Sequence, residues 1–439
     1  MSGSARAHPE ERVDALLDLY RETRAWTERL CRPLAIEDYV VQSMPDASPA
    51  KWHLAHTSWF FETFLLLPLL DGYASPHPSY AYLFNSYYER IGSRHPRPER
   101  GLLTRPTVPD VYRYRSQVDE AMESLLGRAN GDKREAIAGT VRLGIEHERQ
   151  HQELILTDLK HLFSKSPLRP AYREPHALSA VKPAGGSTPA KLEWVSHPGG
   201  VVRIGHDGGG FAFDNEGPAH RVFLEPFALG SRLVTSREYL AFLEDGGYER
   251  ADLWLSLGWD FVSSRGIRAP LYWERDDQGA WRQMTLNGML PILPEEPVSH
   301  VSFFEADAFA RWAGARLPTE AEWEAIAAPL RPAGNFLEDD QLRPLPAPAA
   351  SPIRSGAEPV QMFGDLWEWT SSAYSPYPGF RASPDAVGEY NGKFMCNQYV
   401  LRGGSCVTPR DHIRATYRNF FPPEARWQFT GIRLATESR

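Results

Sequence analysis

"GIEHERQHQELILTDLKH" occupies residues 144–161. It lies inside a longer run, residues 134–163, that reads as one helix. On a helix His147 and His151 are i and i+4, so they project from one face about a turn apart. That spacing lets two imidazoles grip one cation. Glu153, two residues beyond His151, points about 200° away. It suits a supporting acceptor or a bundle contact better than a third ligand.

A third ligand should come from another helix. "SPAKWHLAHTSWFFETFLLLPLL", residues 48–70, predicts one, with Ser48-Pro49 suiting a helix start. His53 and His56 sit on it at i, i+3 beside Trp52, Trp59 and Phe60. A histidine on so apolar a bundle helix is a plausible inward-facing ligand. A lone histidine is ordinarily solvated or a satisfied core residue, but an i, i+4 pair with two more on an apolar helix points to a metal. Three neutral nitrogens with open positions suit Zn(II) or Fe(II), and ligand type alone does not decide between them.

The same stretch also spells H-E-x-x-H, the mark of a zinc peptidase helix. That chemistry needs Glu148 as general base and a further ligand, usually downstream. The next histidine is His161, ten residues on and on the same helix, with no glycine turn between. The pattern departs from that of a peptidase.

Two more helices are predicted over 9–31, from Val13, Leu16, Leu17, Tyr20 and Trp26, and over 109–129. Residues 1–165 should therefore form a four-helix bundle. Its long connection, "FNSYYERIGSRHPRPERGLLTRP" at 84–106, is polar and aromatic, and loops of that length are often functional. Residues 166–191, rich in Pro, Ser, Gly and Ala, read as a linker. Residues 192–439 change texture, with strand-like runs at 201–206 and 221–230, helices at 235–246 and 302–314, and Gly- and Pro-rich turns. The expected class is multidomain, α followed by irregular α+β.

The 439 residues suffice for about two to four domains. A net charge of −8 offers no general attraction to nucleic acid or anionic membrane. No stretch of about 18 apolar residues predicts a membrane span. The amino-terminal stretch has no apolar signal core, so a cytoplasmic location is expected. Cys31, Cys396 and Cys406 make no disulfide framework.

"WHLAH" followed by "HERQHQELILTDLKH" resembles the DinB-like bundle of the ergothioneine-pathway sulfoxide synthases. "RLPTEAEWEAIA", "FGDLWEWTSS", "YVLRGGSC" and "TGIRLA" resemble the formylglycine-generating-enzyme (sulfatase-modifying-factor) domain, of C-type-lectin-like fold, that the same family carries. The resemblance implies a nonheme Fe(II) site on His56, His147 and His151, with His53 a neighbour. It implies O₂ as co-substrate and joining of sulfur from cysteine, or γ-glutamylcysteine, to the imidazole C2 of hercynine, giving a sulfoxide.

The family match also assigns roles. "NSYY" puts the active-site phenol on Tyr87 and Tyr88, with Tyr374 and Tyr377 as the alternatives used in another branch. Gln150 meets the imidazole, and Asn419 with Phe420 meets the quaternary ammonium, a cation that favours aromatic faces. Some relatives that take γ-glutamylcysteine carry Trp-Asp after that Asn. Here Phe420-Phe421 stands there, which favours free cysteine. Arg97 and Arg100 match an arginine pair placed on the thiol substrate's carboxylate. Competing expectations are a selenoneine- or ovothiol-type synthase and a formylglycine-generating oxidase. The oxidase relies on a close cysteine pair, and Cys396 and Cys406 stand ten apart.

Overall fold

The computed structural model describes residues 9–128, 131–174, 191–348, 358–382 and 388–438. The chain divides into two compact units, Met1–Lys165 and Ser166–Arg439. The linker expected over 166–191 lies largely outside the described residues, at 175–190. Residues 166–174 belong to the second unit, where Tyr172 is buried and its backbone N–H donates to Leu286 O at 2.8 Å.

Four long helices build the first unit: Pro9–Cys31, Ala50–Phe61, Val108–Arg128 and Gly131–Lys165. The first buries Leu16, Tyr20, Thr23, Arg24, Thr27 and Leu30, and the third buries Val111, Tyr114, Arg115, Val118, Met122 and Leu125. Both sets repeat at helical spacing, one face turned inward. The second helix is buried at all twelve positions and forms the centre of the bundle. Its polar residues are therefore obliged to find partners.

That second helix was expected to run unbroken to residue 70. Instead it passes at Glu62–Leu66 into a π-helical turn and ends over Leu67–Leu69. Pro68 removes a backbone donor there. The turn seats Glu62, which accepts from Tyr73 OH and Tyr114 OH, each at 2.7 Å. The 84–106 connection is also less irregular than expected, for Arg97–Leu102 forms a 3-10 turn. Gln42 holds that turn, accepting from Gly101 N at 2.7 Å and donating to Arg97 O at 2.8 Å.

Gly144 sets the approach of the fourth helix to the second. A Cβ there would lie 2.8 Å from Phe61 Cζ and 3.0 Å from Phe60 Cε1. Any larger residue would push the helices apart one turn before His147.

The second unit is α+β. A four-stranded sheet has the order Asn419–Phe421, Tyr399–Arg402, Trp367–Ala373, Thr430–Gly431, antiparallel except for the last pair. An antiparallel three-stranded sheet joins Trp194–His197, Phe227–Gly230 and Ala435–Glu437. The expected strand run 221–230 splits at Glu225-Pro226 into pieces belonging to different sheets. Proline cannot donate to a ladder, so the chain turns there. Helices Ser236–Glu244, Phe303–Trp312 and Glu320–Ala327 each begin with a reciprocal cap, Thr235/Glu238, Ser302/Glu305 and Thr319/Glu322.

Buried ion networks tie these short elements together. Glu368 accepts from Arg433 Nε at 2.7 Å and Trp323 Nε1 at 2.8 Å. Glu320 accepts from Arg402 at 3.0 Å and Arg418 at 2.9 Å. Gly403 adopts φ +97° in "RGGS", and a Cβ there would stand 2.7 Å from Met362 O, so only glycine fits that crossing.

Candidate metal centre

His56, His147 and His151 each offer a ring nitrogen, and the three atoms lie within 4.8 Å of one another. The fourth helix brings His147 and His151 together at a ring separation of 4.6 Å, and His56 approaches both from the second helix at 4.9 and 4.7 Å. Burial pushes all three rings below the ordinary imidazole range, His147 to about 4. They are neutral at pH 7, as a cation's ligands must be.

Hydrogen bonds set which nitrogen each ring presents. His56 Nδ1 lies 2.6 Å from Phe84 O. A carbonyl only accepts, so Nδ1 carries the proton and the Nε2 lone pair faces inward, 3.2 Å from His147 Nε2. His147 Nδ1 is buried with no hydrogen-bond partner among the described residues. With the His56 lone pair 3.2 Å away, His147 Nε2 carries the ring hydrogen in this arrangement, and a bound cation would have to displace it. His53 turns the other way. Its Nε2 lies 3.1 Å from Asp158 Oδ2, and its Nδ1 2.8 Å from His151 Nδ1. Three neutral imidazoles converging on one point fit a borderline cation such as Fe(II) or Zn(II).

Aromatic rings wall the cluster. Trp52 stacks on His56 at 4.5 Å and Phe60 lies 4.8 Å from His147. Tyr88 is buried against Trp59 at 5.7 Å and Phe64 at 5.2 Å, and Trp59 in turn stacks on His56 at 5.5 Å. Tyr87 OH accepts from Arg97 Nη1, and Arg97 also donates to Asp46 O. Arg100 is buried, its guanidinium 3.3 Å from the Trp52 ring centre and donating to Ser48 Oγ at 2.9 Å. Burial and the neighbouring Arg97 pull it down to about 9. Gln150 lies on the fourth helix between His147 and His151 and is half-buried.

Asn419, Phe420 and Phe421 form a strand of the second unit. Phe420 stacks on Tyr374 at 4.1 Å, and Phe421 meets Trp427 edge-on at 5.9 Å. Tyr374 OH accepts from Asn215 Nδ2 at 2.9 Å. Tyr377 is engaged with Glu320 and Arg402, at 3.2 and 2.9 Å.

The peptidase alternative fails on this geometry. Glu148, the base a peptidase would need, is fully buried and accepts from Arg24 and Arg115 at 2.9 Å and from Thr27 at 2.7 Å. The two guanidiniums hold its carboxyl down to about 2 against the cost of burial. His161 lies 2.7 Å from Ser43 Oγ and is no member of the histidine cluster. Cys406 is buried while Cys396 is exposed, and neither is in a disulfide. Asp158 was missed at the sequence level. The available signal was its position seven residues after His151, on the same helix face.

Residues 19–155 match the DinB superfamily, and residues 186–438 match the sulfatase-modifying factor enzyme 1-like domain. The chain is 33% identical to a hercynine oxygenase of Mycolicibacterium thermoresistibile, over 99% of this chain and 96% of that protein. It is 34% identical to a hercynine oxygenase of Mycobacterium tuberculosis, over 89% and 91%. The chain belongs to the hercynine oxygenase family. A formylglycine-generating enzyme of Streptomyces coelicolor is 30% identical, but over only 61% of this chain. That match leaves out much of the chain, whereas the hercynine oxygenases span nearly all of it, helical unit included.

Proposed function

We propose that this chain is an O₂-dependent nonheme iron sulfoxide synthase of ergothioneine biosynthesis. It joins the sulfur of cysteine to the imidazole C2 of hercynine. The balance is one thiol, one C2–H and one O₂ giving one C–S bond, one sulfoxide oxygen and one water. The observation that carries the reading is the convergence of His56, His147 and His151 inside a chain alike, over nearly its whole length, to hercynine oxygenases. Fe(II) held by these histidines would supply the electrons that activate O₂.

The protein's own residues bind, orient and move protons. Arg97 and Arg100 offer cations for the thiol substrate's carboxylate, the planar fork suiting bidentate pairing. Gln150 offers an amide to the substrate imidazole. Asn419 and Phe420 are assigned to hercynine, aromatic faces being good partners for its quaternary ammonium, and Phe421 is assigned to the thiol substrate, at the position that bears on donor choice. The phenol of Tyr87 or Tyr88 is assigned the proton or hydrogen delivered during C–S bond formation. The enzyme would work in the cytoplasm, where thiols stay reduced. Among the described residues no helix is long and apolar enough to cross a membrane.

The test is anaerobic loading with Fe(II), then addition of hercynine, cysteine and O₂, with mass spectrometry of the product. Hercynylcysteine sulfoxide is expected. His147→Ala should lose most bound iron and all product, and full iron content in that variant would overturn the metal assignment.

A further inference from the structure

Asp158 and His53 lie outside the histidine cluster, yet they determine how one member of it is presented. Asp158 Oδ2 accepts from the Ser48 backbone N–H at 2.8 Å and stands 3.1 Å from His53 Nε2. A carboxylate accepts and does not donate, so His53 must place its ring proton on Nε2. His53 Nδ1 is then a lone pair. At 2.8 Å it faces His151 Nδ1, which must therefore carry the hydrogen. His151 is left with its lone pair on Nε2, the nitrogen free to turn toward His56 and His147. The opposite arrangement would set the His53 Nε2 lone pair against the carboxylate. His53 and Asp158 are 2% and 6% exposed, so water does not compete for these bonds.

We propose that Asp158 and His53 are positioning residues that lock His151 in its metal-binding tautomer. The arrangement extends the familiar carboxylate–histidine–metal unit by one ring. The relay also reaches the arginine assigned to the thiol substrate. Ser48, whose N–H anchors Asp158, receives the Arg100 guanidinium on its hydroxyl at 2.9 Å. The proposal rests on the metal reading above, but the hydrogen position can be tested without metal.

The experiment has two arms. In the metal-free protein, long-range ¹⁵N–¹H spectra of labelled histidines report the His151 tautomer. Separately, Co(II) titration reports affinity. The parent should show His151 with hydrogen on Nδ1. His53→Phe and Asp158→Leu should show mixed tautomers and bind Co(II) roughly 10- to 100-fold more weakly, the usual cost of losing an outer partner. His53→Asn restores an acceptor at the Nδ1 position and should recover affinity to within about threefold of the parent, a shift of under about 0.7 kcal/mol. Circular dichroism checks the fold, and where His53→Phe does not fold, His53→Asn and Asp158→Asn carry the comparison. Retention of the Nδ1–H form in His53→Phe, or equal loss of affinity in His53→Phe and His53→Asn, would overturn the relay. A parent that shows the Nδ1–H tautomer yet binds neither Co(II) nor Fe(II) would instead overturn the metal reading.

Discussion

Glu148 Oε1 accepts from Arg115 Nη2 at 2.9 Å, and neither side chain is exposed to solvent. The glutamate of the H-E-x-x-H pattern thus faces the bundle core, where Arg24 is its other ionic partner. Removing one member of such a buried pair leaves the others charged and desolvated, at a cost of about 3–5 kcal/mol. Glu148→Ala should lower stability on that scale in urea unfolding, while the protein that stays folded keeps its metal. A variant as stable as the parent would refute this structural role.

Gly144 against Phe61 yields a second expectation. Gly144→Ala inserts a methyl group where none fits, and overpacking typically costs about 1–3 kcal/mol. The fourth helix must retreat from the second, so Co(II) affinity should fall along with stability. Unchanged affinity would mean that the histidine geometry tolerates the shift.

For the tyrosines, the double variant Tyr87→Phe, Tyr88→Phe keeps both rings and removes both hydroxyls. Iron and substrate binding should survive, while C–S bond formation falls by roughly 10²-fold or more, the scale of a positioned acid–base group. Thiol oxidation to cysteine sulfinate should take a larger share of the product. Sulfoxide made at the parent rate and ratio would move the role to Tyr374 or Tyr377.

Phe421, whose ring meets Trp427 edge-on at 5.9 Å, carries the proposal that the donor is free cysteine. A γ-glutamyl ammonium finds no carboxylate at that position. Free cysteine should show the higher kcat/KM. A value tenfold higher for γ-glutamylcysteine, about 1.4 kcal/mol in transition-state binding, would contradict this.

Asp365, 4% exposed, is pushed by burial from 3.8 up to about 6. Between those values the folded state holds a proton that the unfolded chain releases. Stability should therefore fall as pH rises through this window, by on the order of 3 kcal/mol in all. Asp365→Asn can keep the acceptor for Asn335 Nδ2 and Leu345 N–H, both on one oxygen, and should flatten that slope. Urea midpoints at pH 4.5, 6 and 7.5 measure it, and an identical slope in the variant would reject the assignment.

The long helices were legible because periodicity is local. The run read at 9–31 coincides with Pro9–Cys31, and that read at 109–129 with Val108–Arg128. Two helices of the second unit were legible from their S/T-x-x-E starts at Thr235 and Ser302. Helix Ser256–Ser264, which carries no such side-chain cap, went unread, and so did Glu320–Ala327, although its Thr319/Glu322 start carries the same signal. The π-helical turn at Glu62 was also hidden, since it answers to Tyr73 and Tyr114, and Tyr114 is 52 residues away in the chain.

The sequence by itself determined that His147 and His151 share a helix face, because i, i+4 spacing fixes that wherever a helix forms. It also marked an apolar second helix bearing two histidines. It left open, from spacing alone, which of those two joins the pair. Tertiary structure decided this: Phe84 O accepts a hydrogen bond from His56 Nδ1–H and turns Nε2 inward, while Asp158 draws His53 aside. Glu148 was likewise decided by Arg24 and Arg115, which arrive from other helices. Helical spacing chooses faces, but the hydrogen bond that orients a ring or engages a carboxylate comes from a residue distant in sequence.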